Sequence, residues 1–292
     1  MELRLLTGGK IADVLSALHS ALCALQKKRI MNTNHTIDEA KKDTPVDVIS
    51  REPVIEIDNL KKSFGSQVVL KNASLKLFKG ENLVVLGKSG SGKSVLIKCI
   101  VGLLKSDGGT INVFGEDVAS LNREKLGELR TKIGFLFQSG ALYDSMSVKD
   151  NLEFPLRRIK SNLTEKEIND KVNEVLENVG LPDALHKMPS QLSGGMRKRI
   201  SLARTIVIDP LIMLYDEPTT GLDPVTSDEI SELINEVQKK YKTSSIIITH
   251  DIKCALSTAD RVIMLMDGEV YKEGKLKEFE NSEDPLINAF FN

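Results

Sequence analysis

Apolar residues recur with two different periods along residues 53–275, which predicts alternating strands and helices. Five short runs are almost wholly apolar, as is typical of strands buried on both faces of a parallel sheet. These runs are Leu83–Leu86, Ile133–Phe137, Leu211–Tyr215, Ser245–Thr249 and Val262–Met266. Two further runs, Val54–Ile57 and Ala73–Leu77, alternate apolar and polar residues and predict half-buried antiparallel strands. The pattern therefore predicts an α/β fold with a smaller antiparallel β part.

Between about residues 139 and 200 the pattern changes to helices and loops. The clearest helix begins at the capping box formed by Thr164 and Glu167, and it ends at Gly180 before Leu181-Pro182. We interpret this stretch as a helical subdomain inserted into the α/β core. Further on, Asp267-Gly268 predicts a β-hairpin, and the tail to Asn292 carries no pattern strong enough to interpret.

Residues 1–52 form an extension that is expected to be partly helical and partly disordered. Six apolar residues recur there at helical spacing and indicate an amphipathic helix, namely Ile11, Val14, Leu15, Leu18, Leu22 and Leu25. This helix is either a membrane-surface or partner-binding element, or it is not translated and the chain starts at Met31. We favour the second interpretation because nothing downstream requires the helix. Residues 31–52 are polar, and the folded domain is expected to cover 53–292.

Composition narrows the class of protein. Aromatic residues make up 4% of the 292 residues and Trp is absent, which suits a sheet built from aliphatic strands. The net charge of −1 gives no basic field for a nucleic-acid partner. The three cysteines, Cys23, Cys99 and Cys254, are far apart, which favours buried thiols over disulfides or a metal site. No apolar stretch approaches the roughly 20 residues that cross a bilayer, so the protein is expected to be soluble or to be held at a membrane by a partner.

The strongest motif is a glycine-rich loop directly after the run Leu83–Leu86. It fits the pattern G-x-x-x-x-G-K-[ST] and predicts a strand, a phosphate-binding loop and then a helix. The glycines let backbone N–H groups turn inward, the helix directs its positive end at the same point, and a lysine adds a full charge. We therefore expect a nucleoside triphosphate to be bound by Gly87, Ser89, Gly90, Ser91, Gly92, Lys93 and Ser94.

Three polar residues follow apolar strands that would end beside this loop. Asp216 can complete a Mg²⁺ site with the hydroxyl of Ser94, and the adjacent Glu217 can hold the attacking water in line with the γ-phosphate. His250 follows the run Ile246–Ile248 and can contact the γ-phosphate while holding Glu217 in place. These residues together predict hydrolysis of ATP.

Two more features suit nucleotide binding. Ser193, Gly194 and Gly195 open a second helix, and a helix start of this composition is a second anion-binding surface. Phe64 lies about 23 residues before the phosphate loop, where an aromatic ring can stack on a base. One chain thus carries two surfaces that can bind phosphate.

In this order, the motifs resemble those of the ATP-binding cassette (ABC) ATPases over about residues 53–275. The set consists of Gly87–Ser94, Gln138, Leu192–Gly195, Asp216–Pro218, Gly221–Pro224 and His250. The resemblance implies a P-loop NTPase cassette with a RecA-like core, an antiparallel β subdomain and an inserted helical subdomain. It also implies a head-to-tail homodimer in which two ATP molecules each lie between the phosphate loop of one chain and Ser193 of the other.

The same resemblance implies a role for each motif residue. Phe64 would stack on adenine, Lys93 would hold the phosphates, and Ser94 and Asp216 would bind Mg²⁺. Glu217 would be the general base and His250 the contact to the γ-phosphate. Gln138 would join the metal site and couple it to a partner, and Asp223 would belong to the loop that crosses the dimer interface.

A finer resemblance is to the ATPases of MCE-type phospholipid transporters, the maintenance-of-lipid-asymmetry group. It rests on Gly87–Leu96, in which Val95 stands where many cassettes have Thr, on Phe137–Met146 and on Gly195–Arg199. It implies an integral-membrane permease and an MCE lipid-binding protein as partners, and a peripheral location at the cytoplasmic face of the inner membrane. The substrate, the direction of transport, the permease and any small regulatory subunit are not determined by the sequence.

Three other functions compete with a phospholipid-transport ATPase. The chain could serve an ABC transporter for another substrate. A cassette ATPase acting on DNA would place a long coiled coil between the two Walker motifs, and one acting on ribosomes would carry two cassettes. Here Lys93 and Asp216 are only 123 residues apart, and the sequence holds one cassette. A nucleotide-binding scaffold without turnover is disfavoured because Glu217 and His250 are both present.

Overall fold

The computed structural model describes residues 52–291. The predictions for residues 1–51 lie outside the described residues, and the division of the chain into domains stays a prediction. Within residues 52–291, no helix combines the length and the apolar composition needed to span a membrane.

Ten strands form in this range of residues. They are β1 (Pro53–Phe64), β2 (Gln67–Phe78), β3 (Asn82–Leu86), β4 (Gly108–Val113), β5 (Glu116–Asp117), β6 (Ile133–Leu136), β7 (Ile212–Asp216), β8 (Ser244–Thr249), β9 (Arg261–Met266) and β10 (Glu269–Gly274). All of them belong to one sheet in the order β5-β4-β1-β2-β10-β9-β3-β8-β7-β6. The strands β9, β3, β8, β7 and β6 run parallel, whereas β1 is antiparallel to β2 and β4. The predicted parallel core and the smaller antiparallel part are both present.

Nine α-helices lie in the same part of the chain. They are α1 (Lys93–Ile100), α2 (Arg123–Thr131), α3 (Val148–Ile159), α4 (Glu165–Asn178), α5 (Gly194–Ile206), α6 (Pro224–Tyr241), α7 (Ile252–Thr258), α8 (Leu276–Glu280) and α9 (Pro285–Phe291). Helices α3, α4 and α5 follow one another between β6 and β7, in the stretch for which an inserted helical region is predicted. The capping box of α4 is confirmed, because the Glu167 carboxylate accepts from the Thr164 N–H at 2.8 Å and Thr164 Oγ1 accepts from the Glu167 N–H.

Successive residues of the parallel strands pack on opposite faces of the sheet. In β3, Val84 and Leu86 join a core cluster with residues of α3 to α6, while Leu83 and Val85 join a second cluster with residues of β1, β2 and α1. All four side chains are fully buried. Because both faces are covered, the central residues of these strands are apolar, and polar residues such as Asn82 and Asp216 stand at the strand ends.

The β9–β10 hairpin is confirmed, with left-handed φ angles of 48° at Asp267 and 79° at Gly268. The tail, by contrast, is folded although its sequence shows no pattern. Helices α8 and α9 each bury one side chain completely, Phe279 and Ile287. A single buried residue in a helix of five or seven residues produces no detectable period, which is why these helices were not predicted.

The two cysteines in the described range are buried free thiols. Burial raises the pKa of both Cys99 and Cys254 to about 11. Their thiolate forms are therefore scarce at neutral pH.

Candidate nucleotide-hydrolysis site

The phosphate loop occupies the connection between the end of β3 and the start of α1. Gly90 and Gly92 have φ angles of 82° and 101°, which side-chain-bearing residues rarely adopt. A Cβ atom at Gly92 would also lie 2.8 Å from Leu70 Cδ2 and 3.1 Å from the carbonyl oxygen of Val69. Glycine at this position lets the chain turn sharply from the strand into the helix.

Lys93 is the first residue of α1, and its ammonium group lies inside the loop. Its Nζ donates to the carbonyl oxygens of Gly87 at 2.7 Å and Lys88 at 3.1 Å, and the side chain is 6% exposed. Burial lowers the pKa of Lys93, although the nearby Glu217 carboxylate opposes this shift. The Ser91 hydroxyl is also buried and has no hydrogen-bond partner within residues 52–291. A buried cation and an unpaired hydroxyl in one loop fit a polyanionic ligand.

We expect Gly92→Ala to lower the free energy of unfolding by about 2 kcal/mol, because alanine is strained at this φ. It should also weaken ATP binding by about tenfold, or about 1.4 kcal/mol, because the loop must distort. Urea denaturation and equilibrium binding of a fluorescent ATP analogue measure the two effects.

The matched control is Gly127→Ala in α2, where a new Cβ atom meets no other atom within 4 Å. This change should raise the free energy of unfolding by about 0.5–1 kcal/mol, because alanine favours helix, and should leave ATP binding unchanged. Equal effects of the two substitutions on ATP binding would contradict the conformational role of Gly92.

The carboxyl ends of three neighbouring parallel strands, β3, β8 and β7, meet at this loop. Asp216 ends β7, and its Oδ1 accepts a hydrogen bond of 2.8 Å from the Ser94 hydroxyl. A hydroxyl and a carboxylate side by side are oxygen ligands of the kind that Mg²⁺ takes together with substrate phosphates. The described residues hold no group of three or more His, Cys, Asp or Glu side chains that could bind a metal by themselves.

Glu217 directs its carboxylate between a lysine and a histidine. Its Oε1 lies 3.7 Å from Lys93 Nζ, and its Oε2 lies 2.8 Å from His250 Nδ1 and accepts from the Thr220 hydroxyl at 3.2 Å. The backbone at Glu217 is left-handed, with φ of 51°, which costs about 1–2 kcal/mol for a residue other than glycine. This strained turn lets the carboxylate leave the strand end and enter the cavity.

A cavity of about 770 Å³ contains eight of the predicted site residues in its wall. They are Ser89, Gly90, Gly92, Lys93, Ser94, Gln138, Glu217 and His250. Gly87, Ser91 and Asp216 lie beneath this surface: Gly87 and Asp216 accept hydrogen bonds from Lys93 and Ser94, and the Ser91 hydroxyl is buried. The His250 side chain is 59% exposed, so it forms the open edge of the cavity.

The remaining predicted residues are not in the cavity wall. Ser193 caps α5 by accepting from the Met196 N–H, and Asp223 caps α6 by accepting from the Thr226 N–H and hydroxyl. These two caps belong to one surface, because a Cβ atom at Gly195 would lie 2.6 Å from Thr226 Cγ2. Phe64, at the end of β1, is 46% exposed, and its ring centroid is 5.3 Å from Lys62 Nζ.

The fold also brings to the site residues that no sequence motif indicates. Val69 lines the cavity from β2, and Ala289 and Phe290 line it from α9. Lys198 of α5 is buried behind Gln138 and Glu217. Apolar residues and a lysine within a helix give no sequence signal of their own, and only the fold brings them here.

These features define the class of protein as a P-loop nucleotide hydrolase. They are a phosphate loop with a buried lysine, a Ser–Asp pair, and a glutamate at a neighbouring strand end. Residues 70–220 match the family model for ABC transporters. The chain belongs to the ABC transporter family, and its activity is that of the family's ATPases, which bind and hydrolyse ATP. The predicted family and fold class are confirmed.

Solved structures of this fold support the assignment. The chain aligns with a dimeric, post-hydrolysis structure of the ATP-binding cassette MJ0796 bound to ADP and Pi, with a TM-score of 0.70 and 32% identity over 76% of this chain and 98% of that chain. It also aligns with cbiO1 of Clostridium perfringens, with a TM-score of 0.73 and 29% identity over 82% of this chain and 96% of that one.

Among curated relatives, the probable ribonucleotide transport ATP-binding protein mkl of Mycobacterium leprae is 41% identical over 82% of this chain and 68% of its own length. The M. tuberculosis protein of the same name is also 41% identical, and 66% of it is covered, so this chain spans only about two thirds of these relatives. The intermembrane phospholipid transport system ATP-binding protein MlaF of Haemophilus influenzae is 39% identical over 81% of this chain and 89% of its own length.

Proposed function

We propose that this chain is the ATPase subunit of an MCE-type phospholipid transporter, and that it works as a head-to-tail homodimer on a separate permease. The observation that carries the catalytic part is the Glu217 carboxylate, which lies in the cavity within 3.7 Å of Lys93 Nζ and 2.8 Å of His250 Nδ1. A carboxylate beside a phosphate loop is suitably located to act on the water that attacks ATP.

The phosphates of ATP would bind to the loop, where Lys93 would exchange its backbone acceptors for phosphate oxygens. Ser94, Asp216 and the side chain of Gln138 would hold Mg²⁺. When bound, Mg²⁺ neutralises charge on the phosphate oxygens. The hydrogen bond between Ser94 and Asp216 supports this role because it brings two of the three ligands into contact.

Glu217 would accept a proton from the attacking water, and His250 would orient Glu217 and contact the γ-phosphate. The contact between His250 Nδ1 and the Glu217 carboxylate supports this division of roles. With Nδ1 protonated, the imidazole donates to Glu217, and its other nitrogen remains for the phosphate.

We infer the dimer from predicted nucleotide-binding residues that do not line the cavity of their own chain. Ser193, Gly194 and Gly195 lie with Asp223 on one surface outside the cavity wall. Their helix start can still bind an anion, so we infer that it binds the ATP held by a second copy of this chain. Two solved structures of one relative, the cassette MJ0796, are dimeric. Phe64, exposed at the end of β1, would stack on the adenine.

The permease would dock beside Gln138, on the loop that leads into α3. The fully buried Asn151 holds this loop rigidly, since its amide group donates to the carbonyl oxygens of Tyr143, Met146 and Ser147. A rigid loop between the cavity and the surface can transmit a displacement.

Large apolar side chains are exposed on this loop and along α3. The rings of Tyr143 and Phe154 pack edge to face with their centroids 5.4 Å apart, and Ile159 ends the helix. Each of these side chains is more than one third exposed. An apolar patch of this kind suits a helix from an integral-membrane partner.

Phospholipid is the proposed cargo because of the resemblance in residues 87–96, 137–146 and 195–199, and because the relative MlaF is named for phospholipid transport. The relatives named for ribonucleotide transport make nucleotides the competing cargo. Under this proposal, the chain lies at the cytoplasmic face of the inner membrane and works with a permease and an MCE lipid-binding protein.

The test is purification of the tagged chain from membranes of its own host, followed by reconstitution of the complex with fluorescent phospholipid. We expect an integral permease and an MCE protein to co-purify, and ATP to drive phospholipid movement between vesicles. Glu217→Gln should co-purify the same partners without driving movement. Recovery of a sugar or amino-acid permease, or ATP-driven movement of ribonucleotides alone, would overturn the proposed cargo.

A further inference from the structure

Lys198 is a buried cation at the centre of the catalytic machinery, and none of the roles above uses it. It lies in α5, four residues after Gly194, and is 6% exposed. Its Nζ donates to the carbonyl oxygen of Gln138 at 2.8 Å and to that of Glu217 at 3.4 Å. Both acceptors are backbone atoms of residues that carry the proposed chemistry.

Burial of this ammonium is unfavourable, and the pKa of Lys198 is lowered mainly for this reason, with the charges of Asp216 and Glu217 acting in the opposite direction. If the position only filled space, an aliphatic side chain would do so without the cost of desolvating a charge. The donors of Lys198 therefore need an explanation beyond packing.

One role for these donors is to stabilise the backbone of Glu217, which is in a left-handed conformation. Its N–H donates to the carbonyl oxygen of Ile248 at 2.9 Å, and its own carbonyl accepts from Thr220 N–H at 3.3 Å as well as from Lys198. The direction of the Glu217 carboxylate depends on this turn. Lys198 stabilises it from the side of α5.

The other acceptor, the carbonyl oxygen of Gln138, connects Lys198 to a second part of the site. Gln138 follows β6, which is the neighbour of β7 in the sheet, with Leu136 opposite Tyr215. Lys198 thus connects the chain segments that follow two adjacent strands. It also joins both segments to the helix whose first turn holds Ser193 to Gly195.

We propose that Lys198 is a positioning residue that couples the start of α5 to both Gln138 and Glu217. When the start of α5 binds an anion, a displacement of the helix would be transmitted through the ammonium to the backbone of both residues. Glu217 would then be oriented for catalysis only when α5 is engaged. This inference rests on the proposed roles of Gln138 and Glu217.

The test compares Lys198→Met, which keeps the length of the side chain but removes its donors, with Lys198→Arg, which restores donors. In Lys198→Met we expect kcat for ATP hydrolysis to fall by about tenfold or more, because a displaced catalytic group loses rate steeply, with KM for ATP nearly unchanged. Lys198→Arg should recover most of kcat. Lys166→Met on the exposed face of α4 is the matched control and should behave as wild type.

Hydrogen exchange supplies a second readout that does not depend on catalysis. Amides of residues 138–141 and 217–220 should exchange faster in Lys198→Met, while those of α4 keep the wild-type rate. If Lys198→Met does not fold, Lys198→Arg is compared directly with the wild type. A donor role predicts wild-type exchange rates in both segments. A purely packing role predicts faster exchange and a lower melting temperature, because the guanidinium is larger than the ammonium.

The outcomes separate the two proposals. A wild-type chain that does not hydrolyse ATP would overturn the proposed function. A wild type that hydrolyses ATP, together with a folded Lys198→Met variant of equal kcat, would overturn the role of Lys198 alone.

Discussion

Replacing Glu217 with Gln is expected to lower kcat for ATP hydrolysis by about 10²–10⁴-fold, which is the usual contribution of a positioned general base. The amide has nearly the shape of the carboxylate and can still accept a hydrogen bond from His250, so the site should stay assembled. It cannot accept a proton from water. ATP should therefore bind with almost unchanged affinity and accumulate in a dimer, as measured by single-turnover hydrolysis and size-exclusion chromatography with ATP.

The matched control is Glu236→Gln, which makes the same chemical change on the exposed side of α6. This variant should retain the wild-type rate and should not accumulate as a dimer. Hydrolysis at the wild-type rate by Glu217→Gln would remove Glu217 from the role of general base.

The second large effect is expected when two defective chains are combined. One chain carries Lys93→Ala and the other carries Ser193→Arg, and the mixed dimer is isolated with two different affinity tags. If Ser193 acts on the ATP of the partner, both defects fall in the same composite site and the other site stays intact. The mixed dimer should then show about half of the wild-type single-turnover amplitude if the two sites act independently, although each defective homodimer is inactive.

The control places both substitutions on one chain and pairs it with a wild-type chain. Each composite site then contains one defect, so no hydrolysis is expected. The opposite result, activity in the control and none in the first mixture, would mean that Ser193 acts within its own chain. Because the two mixtures contain the same substitutions, general destabilisation cannot account for a difference between them.

The parts of the molecule that follow a simple period were predictable from sequence. The five apolar runs became the parallel strands because both faces of the sheet are covered by helices and by β1 and β2, so no polar residue interrupts them. The phosphate loop was predictable for another reason. Its glycines, lysine and serine act through backbone geometry and charge, and these require the same spacing in any fold.

Helix α2, by contrast, could not be predicted from a period. It buries only Leu129, and its other side chains are largely polar, so its sequence carries almost no periodic signal. Its start depends on the Asn122 side chain, which accepts from the Lys125 N–H at 2.9 Å. A helix held by a cap and by one apolar contact is determined mainly by its tertiary surroundings.

The burial of Lys198 could not be predicted either, for a different reason. In the sequence it is one basic residue within Arg197-Lys198-Arg199, a run that indicates a solvated helix face. Arg197 is exposed as that pattern suggests, whereas Lys198 turns toward the sheet and is buried. Which basic side chain of a run points inward depends on the angle at which α5 packs against β6, and residue types alone do not encode that angle.

The buried thiols have a practical consequence for observing the proposed dimer in solution. Cys99 and Cys254 are inaccessible and largely protonated at neutral pH, so maleimide probes should leave both unmodified. A cysteine introduced at the exposed Val225, next to Asp223, could then carry a spin label or fluorophore once Cys23 is replaced. Two such reporters, one on each chain, would follow the approach and separation of the subunits during the ATP cycle, while both native thiols in the core remain in place.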